Sequence, residues 1–241
     1  MADLIVDLST SPLPSWTGPR ATLYAANACD VLPYLKDISG VITAPPWYQN
    51  QYCEATVATH TIAHQADVDW HSQLWIYFAS WMSLVQQTGA RWGFYFIGCD
   101  HAPAFLRVAR LIGWPMQHAW NIEQRERLFY TGPTALRDTE GLQDLLIRDG
   151  YTSIKLYLQL VDLLRRHGIT PGEQILDPFC GYGSSLVAAH LLGAQVIGID
   201  ARPERIALAS TALQELTPLP VEAQAGPHWR RRFHSSKEKQ Y

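Results

Sequence analysis

Short apolar runs and longer segments of helical periodicity alternate along this 241-residue chain. Between Trp70 and Gln87, apolar residues recur at intervals of three and four, which predicts an amphipathic helix. A continuous apolar run from Trp92 to Ile97 follows and predicts a buried strand. Alternating helices and strands are typical of an α/β domain.

The same patterns predict further elements downstream. A helix is expected from Pro103 to Leu111 and a strand from Arg127 to Tyr130. Residues 132–150 are rich in Gly, Asp and Thr and are expected to form a loop with one short helix. A second long helix is expected from Tyr151 to Arg166.

The chain length favours one domain, which we expect to span residues 20–226. Residues 1–19 contain three prolines and are expected to be an irregular lead-in. No apolar run approaches the ~20 residues that a membrane-spanning helix requires. The N-terminus also lacks a charged segment followed by an apolar signal core. These features favour a cytoplasmic protein without a membrane partner.

Charge is distributed unevenly, although the net charge is only −3. The segment 227–241 carries five basic residues and one acidic residue, a net charge of +4, which leaves −7 on the rest of the chain. Aromatic residues are interleaved with this charge, a composition typical of flexible arms that bind phosphate groups. The candidate nucleic-acid-binding residues are Arg230, Arg231, Arg232 and Lys237. A solvated extension without a partner is the alternative interpretation.

Neither the cysteines nor the histidines indicate a metal site. Cys29, Cys53, Cys99 and Cys180 are scattered without Cys-x-x-Cys spacing, so we expect neither a disulfide framework nor bound zinc. His60, His64 and His71 lie close together in the sequence, but no second ligand pair supports a metal centre. The expectation is a protein without a metal.

The strongest chemical signal is a glycine loop between a predicted strand and a predicted helix. The strand from Ile175 ends at Asp177, and a helix is expected from Ser184 to Leu192. Gly181 and Gly183 remove Cβ atoms where backbone approaches a ligand, and a helix start offers unpaired N–H groups. This arrangement predicts a nucleotide-type cradle, although any α/β protein can carry such a turn.

A second strand, Ala194 to Asp200, ends in a carboxylate. An acidic residue at this distance from the loop accepts hydrogen bonds from a ribose in doubly wound folds, and Asp200 fits that role. Leu186 stands where a dinucleotide fingerprint needs a small residue, which argues against NAD or FAD. The loop contains no lysine, which excludes a P-loop.

Two motifs carry a resemblance to a known family. The residues Asp177-Pro178-Phe179-Cys180-Gly181-Tyr182-Gly183-Ser184-Ser185 resemble the cofactor motif of S-adenosylmethionine-dependent DNA amino-methyltransferases. The upstream residues Ala44-Pro45-Pro46-Trp47 resemble the catalytic Asp/Asn/Ser-Pro-Pro-aromatic motif of the same family. With the Pro-Pro motif first and the cofactor motif late, the chain is similar to the circularly permuted β class.

The resemblance implies a fold, a cofactor and a set of site residues. The fold is the class I, Rossmann-like methyltransferase type, an α/β doubly wound, mostly parallel sheet. The cofactor is S-adenosyl-L-methionine, with Asp200 on its ribose and Asn27 near its adenine. The remaining implied cofactor residues are Ser153, Lys155, Asp177, Phe179, Gly181, Gly183, Ser184 and Ser185.

The implied catalytic segment runs from Ala44 to Tyr48. In the family, a side-chain acceptor and the first proline's carbonyl accept hydrogen bonds from the target amine, and the aromatic residue stacks on a flipped base. Pro45 would supply its carbonyl, Pro46 would follow it, and Trp47 would stack, aided by Tyr48. Ala44 departs from the motif because it has no acceptor.

Three interpretations of Ala44 remain open. Thr43, Gln49 or Asn50 supplies the acceptor; the substrate atom is not an exocyclic amine; or the chain binds cofactor without efficient catalysis. A rigid turn without catalytic function is a further alternative for the Pro-Pro segment.

The implied function is methyl transfer to N6 of adenine or N4 of cytosine in double-stranded DNA, with base flipping, as in small phage or restriction-modification enzymes. The recognition insertions would be short, near residues 57–69 and 132–150. The recognised DNA sequence would therefore be short or relaxed, or recognition would be supplied by a protein partner or a homodimer. The alternatives are a catalytically impaired subunit of a methyltransferase complex and an enzyme that acts on RNA or another substrate.

Overall fold

The computed structural model describes residues 11–45, 70–122, 126–133, 163–167, 169–214 and 216. Eight strands form one sheet in these ranges. They are β1 (Trp16–Gly18), β2 (Ala21–Ala25), β3 (Gly40–Thr43), β4 (Trp92–Gly98), β5 (Gln117–Ile122), β6 (Glu126–Thr131), β7 (Gln174–Asp177) and β8 (Gln195–Asp200).

The centre of the sheet is parallel and its two edges are antiparallel. The strand order is β1-β2-β8-β7-β3-β4-β6-β5. The five strands from β2 to β4 in this order pair in parallel, whereas β1, β6 and β5 pair antiparallel to their neighbours. The central pair, β7 and β3, is formed by strands that lie far apart in the sequence.

Helices cover both faces of the sheet, so the predicted doubly wound α/β fold is confirmed. One face carries α1 (Ala28–Val31), α2 (Trp70–Gln87) and α3 (Ala102–Leu111). The other carries α4 (Ser184–Leu191), α5 (Pro203–Gln214) and the helical residues 163–167.

The pattern of β4 explains why the sheet needs two layers of helices. All seven of its residues are buried. Trp92, Phe94 and Phe96 belong to one apolar core, and the alternate residues Tyr95 and Ile97 belong to the other. Since successive strand side chains point to opposite faces, an apolar run of this kind is stable only between two helical layers.

Most predicted elements are confirmed, with ends shifted by one or two residues. The helix at Trp70–Gln87 has the predicted bounds, and the strand at Arg127 to Tyr130 is extended by one residue at each end. Residues 1–19 were expected to be irregular. This prediction is wrong at the C-terminal end of the segment, where β1 lies and pairs with β2. The strand β5 had no sequence signal that predicted it.

Among the described residues, no helix is both long enough and apolar enough to cross a membrane. Within the same ranges, no group of three or more His, Cys, Asp or Glu residues is placed to hold a metal ion. Cys53, His60 and His64 lie outside the described residues.

Candidate functional site

Three strands bring the candidate residues to one edge of the sheet. Because β3, β7 and β8 are parallel neighbours, their carboxyl ends lie side by side. Thr43, Asp177 and Asp200 are the last residues of these three strands. In open α/β sheets this edge is where ligands bind.

The glycine loop connects β7 to α4 and takes a conformation that glycine favours. Gly181 has a φ of +53° and Gly183, the N-cap of α4, has a φ of +84°. The loop is held by two backbone hydrogen bonds, from Cys180 N–H to the Ile199 carbonyl (2.9 Å) and from Gly183 N–H to the Cys180 carbonyl (2.8 Å).

The two glycines face different surroundings. Among the described residues, none lies within 4 Å of a Cβ atom built on Gly181, so this residue faces open space there. A Cβ atom on Gly183 would press against α5 at Ala209. Gly181 therefore leaves its backbone accessible, whereas Gly183 serves close packing of the chain against itself.

Asp177 is buried and is held by three donors. Its Oδ1 accepts hydrogen bonds from the Thr43 hydroxyl (2.8 Å) and from Phe179 N–H (3.0 Å). Its Oδ2 accepts a short hydrogen bond from the Ser185 hydroxyl. Burial raises the pKa of Asp177 to about 6, because the loss of solvent outweighs the three donors, which lower it. The carboxyl group therefore joins the end of β3 to the glycine loop.

Asp200 ends β8 directly beside the loop. Its Oδ2 accepts from Gly181 N–H at 3.0 Å, and its Oδ1 accepts from Arg202 N–H at 2.9 Å. Arg205 of α5 forms an ion pair with Oδ2 at 3.4 Å. The guanidinium carbon of Arg205 lies 5.5 Å from the centre of the exposed Tyr182 ring. Asp200 thus fixes the position of Gly181 from the neighbouring strand.

Asn27 lies at the next strand end. Its side-chain oxygen accepts from Cys29 N–H at 2.9 Å and caps α1. The preceding residue, Ala26, donates its N–H to the Asp200 carbonyl at 3.1 Å. The structure therefore brings Asn27 next to Asp200, as the resemblance implied.

Phe179 is half-buried and packs against α2. Its ring centre lies 5.3 Å from that of Trp81 and 6.2 Å from that of Tyr77. The sequence predicted an amphipathic helix here, but nothing local indicated that its aromatic residues hold the glycine loop. Phe179 thus anchors the loop to the helical layer.

At the Pro-Pro segment, the structure describes Ala44 and Pro45. Ala44 is exposed and Pro45 is buried. Thr43 is only 1% exposed and its hydroxyl donates to Asp177, so it does not face a substrate as an acceptor. Of the alternatives to Ala44, Thr43 is therefore the one that the structure describes, and its side chain is buried against Asp177. The remaining predicted site residues lie outside the described residues. They are Pro46, Trp47, Tyr48, Gln49, Asn50, Ser153, Lys155, Arg230, Arg231, Arg232 and Lys237.

The site also contains contacts that the sequence did not indicate. Arg205 forms an ion pair with Asp200, the backbone N–H of Arg202 donates to the same carboxylate, and the Thr43 hydroxyl donates to Asp177. Arg205 lies five residues after Asp200, and this spacing was the only signal available. The signal for Thr43 was weaker, because it was only the residue before the motif Ala44-Pro45-Pro46-Trp47.

Comparison with known proteins places the glycine loop in a family. Residues 154–211, about a quarter of the chain, match the family model for DNA methylases of the N6 and N4 methyltransferase type. The matched segment contains β7, the glycine loop, α4 and β8. The resemblance inferred from the glycine-loop motif is confirmed over this segment, which does not contain the Pro-Pro motif.

A curated relative matches over a short stretch. The tRNA (guanine(10)-N2)-dimethyltransferase of Methanothermobacter thermautotrophicus is 45% identical over 51 residues, which is 21% of this chain. The chain spans only 14% of the length of that protein.

Solved structures match over most of the chain. A protein described as a DNA modification methylase from Thermus thermophilus, solved with S-adenosyl-L-methionine, has a TM-score of 0.53 at 18% identity. The match covers 79% of this chain and 93% of that one. The cytosine-N4-specific PvuII DNA methyltransferase has a TM-score of 0.56 at 13% identity, covering 92% of this chain and 95% of that one. These likenesses show the fold.

Proposed function

We propose that this protein, whose glycine loop matches the DNA methylase family, is an S-adenosylmethionine-dependent methyltransferase that modifies an exocyclic amine in DNA. One observation carries the proposal. Gly181, within the matched segment, opens its backbone to free space while the carboxylate of Asp200 holds its N–H from the next strand. This pairing of an open glycine backbone with a carboxylate at a strand end suits an adenosine-containing ligand.

The residues present fit S-adenosyl-L-methionine. The carboxylate of Asp200 is suited to accept hydrogen bonds from the ribose hydroxyls, and Asn27 lies beside it for the adenine. Gly181 and Gly183 provide the close backbone approach on the methionine side. Ser184 lies at the first turn of α4, and Ser153 and Lys155 belong to the same proposed pocket.

Three of the proposed cofactor residues act through other residues. The side chains of Asp177 and Ser185 are buried and hydrogen-bonded to each other, so we assign them to holding the loop rather than to touching the ligand. Phe179 has the same role through its packing on Trp81.

The reaction requires positioning more than acid–base chemistry. The bound cofactor supplies an electrophilic methyl group on a sulfonium. The target amine is a weak nucleophile because its lone pair is conjugated with the base, and an acceptor for its protons helps it to attack. The backbone carbonyl of Pro45 is the proposed acceptor, with Pro46 fixing the turn. Trp47, aided by Tyr48, stacks on the flipped base.

The proposed substrate is double-stranded DNA, and the expected place of action is the cytoplasm. The basic tail would neutralise backbone phosphates through Arg230, Arg231, Arg232 and Lys237. The short segments at 57–69 and 132–150 would read sequence, alone or with a protein partner or a second copy of the chain. We do not assign a metal.

The test measures binding and transfer separately. Calorimetry with S-adenosyl-L-methionine measures cofactor affinity for the native protein and for Gly181→Ala. Transfer from the radiolabelled cofactor to unmethylated double-stranded DNA follows, with mass spectrometry of the released nucleosides. We expect native binding and N6-methyladenine or N4-methylcytosine, and in the variant cofactor binding that is at least about tenfold weaker, with less transfer. A native protein that does not bind the cofactor would overturn the proposal.

A second candidate is a cofactor-binding subunit with impaired catalysis. Ala44 is exposed and its side chain carries no acceptor, and the hydroxyl of neighbouring Thr43 is buried and donates to Asp177. A missing hydrogen bond of this kind costs roughly tenfold to a hundredfold in rate. Cofactor binding without methyl transfer to DNA would favour this candidate.

The transfer assay includes a transfer RNA substrate as a separate arm. The stretch that is 45% identical to a tRNA (guanine(10)-N2)-dimethyltransferase is the reason for including it. Incorporation into RNA and not into DNA would keep the cofactor assignment and change the substrate.

A further inference from the structure

We propose that Thr43 is a positioning residue that, through Asp177, holds Ala44 and Pro45, the described start of the Pro-Pro loop (residues 44–47), at a fixed distance from the glycine loop. This inference rests on the proposed function, because it assigns substrate to the first loop and cofactor to the second. In-line methyl transfer needs the two ligands in a fixed relative position. A direct contact between the two strand ends from which these loops leave is one means of fixing it.

The contact joins the two motifs across the sequence. The Thr43 hydroxyl donates to Asp177 Oδ1 at 2.8 Å, and the two residues are 134 positions apart. Both side chains are buried, at 1% and 3% exposure. Thr43 directly precedes Ala44 and Pro45, and Asp177 directly precedes the turn that leads to Gly181.

The backbone pairing between β3 and β7 does not extend to Thr43 and Asp177. The register between β3 and β7 covers two pairs, Gly40 with Ile175 and Val41 with Leu176. On its other side, Thr43 pairs with Tyr95 of β4. The side-chain bond to Asp177 thus extends the attachment of β3 to β7 up to the point where both strands become loops.

The partners of Asp177 divide between the two loops. Ser185 and Phe179 N–H hold the carboxylate from the glycine-loop side, and Thr43 holds it from the Pro-Pro side. Removing the Thr43 hydroxyl leaves both bonds that Asp177 accepts from the glycine-loop side, from Ser185 and from Phe179 N–H. Removing Ser185 weakens the glycine loop and leaves the bond to Thr43. We therefore expect the two substitutions to loosen different loops, although each deletes one hydroxyl bonded to the same carboxylate.

The experiment compares Thr43→Val with Ser185→Ala. Calorimetry measures the dissociation constant for S-adenosyl-L-methionine, and single-turnover assays with saturating cofactor and substrate measure the transfer rate. For Thr43→Val we expect a rate at least about tenfold lower, with the dissociation constant within about threefold of native. For Ser185→Ala we expect the dissociation constant to rise by about tenfold. Thr43→Ser, which keeps the hydroxyl, should restore the native rate.

Equal loss of affinity in Thr43→Val and Ser185→Ala would overturn the proposal and leave Thr43 a merely structural residue. An unchanged transfer rate in Thr43→Val would also overturn it. Thermal unfolding of each variant shows whether it is folded, and Thr43→Ser provides the folded comparison if the valine variant is not.

A second readout does not depend on activity. Hydrogen–deuterium exchange without ligand should be faster in peptides covering residues 41–50 of Thr43→Val and unchanged in peptides covering 178–190. Ser185→Ala should show the reverse. If the native protein transfers no methyl group, the proposed function fails, and this exchange pattern alone decides whether Thr43 positions the loop. Unchanged exchange at 41–50 in Thr43→Val would contradict the proposal.

Discussion

Gly183 faces Ala209 where α4 begins against α5, and a Cβ atom on Gly183 would lie 2.9 Å from the Cβ of Ala209. The backbone of Gly183 also has a φ of +84°, a conformation that L side chains rarely adopt. Gly181, two residues earlier, has a positive φ but open space around it. The same loop therefore offers one glycine needed for packing and one that faces outward.

The two glycines should respond differently to substitution. Gly183→Ala combines left-handed backbone strain with overpacking and should lower the free energy of unfolding by about 2–4 kcal/mol. Gly183→Val should be worse and should abolish cofactor binding. Gly181→Ala carries only the strain, about 1–2 kcal/mol, but should weaken binding of S-adenosyl-L-methionine at least about tenfold. Chemical denaturation and calorimetry measure the two effects. Retained affinity in folded Gly181→Ala would contradict the site assignment.

The carboxylate of Asp200 should contribute more to cofactor affinity than its ion pair with Arg205 does. Asp200→Ala removes both the proposed ribose acceptor and the anchor of Gly181 N–H, so cofactor affinity should fall at least about tenfold. Arg205→Ala removes the same ion pair but keeps the carboxylate, and affinity should change less than about threefold. Calorimetry on both variants makes the comparison. Equal losses would instead assign the effect to the ion pair.

Asp177 should make the protein less stable as pH rises. Its pKa is about 6 when folded, above the ordinary 3.8, so the folded state holds the proton more tightly. The stability that this proton confers is complete below pH 3.8 and is lost as pH rises through 6. Relative to Asp177→Asn, which does not titrate, the native protein should lose about 3 kcal/mol between about pH 4 and pH 7. Denaturation at several pH values measures this difference, and a flat difference would contradict it.

Ala44→Asp should raise the rate of methyl transfer. Ala44 is exposed, so the change should alter stability by less than about 0.5 kcal/mol. The new carboxylate supplies the acceptor that the motif lacks, and the expected gain is about tenfold to a hundredfold. Ala44→Val is the control for side-chain size. A fall in existing activity would instead show that Ala44 suits a different substrate.

The basic tail should govern the salt dependence of DNA binding. Replacing Arg230, Arg231 and Arg232 with glutamine removes three charges. The slope of log affinity against log salt concentration should become shallower by up to about 2.7. Lysine at the same positions keeps the charge and should keep the slope. Fluorescence anisotropy with labelled double-stranded DNA measures both, and an unchanged slope would leave the tail a solvated extension.

Local sequence patterns were sufficient for the elements that build the site. The apolar run before Asp200 and the glycines before α4 are contiguous signals, so β8, the loop and α4 were all predicted. The position of Asp200 at a strand end followed from the same run. Its ion pair with Arg205 did not, because a pattern of apolar positions carries no information on which charges meet.

The missed strands lack a pattern of this kind. β1 is three residues long and β5 contains Gln117, His118 and Asn121 among its six residues. Both lie at the edges of the sheet, and β5 also has an irregular register between His118 and Trp120. Edge strands need fewer apolar residues than central ones, so their formation depends on a neighbour that sequence alone does not show.

The pairing of β3 with β7, which the contact between Thr43 and Asp177 extends, also sets the order in which the sheet is completed during synthesis. The ribosome makes β3 first and its neighbour β7 only 134 residues later, a delay of roughly 7 to 27 seconds at ordinary translation rates. Until then, β3 has β4 on one side and no partner on the other, and β2 still lacks β8. The nascent chain thus keeps two open strand edges for chaperones to shield, and the proposed cofactor pocket is complete only after β7 and β8 have both been made.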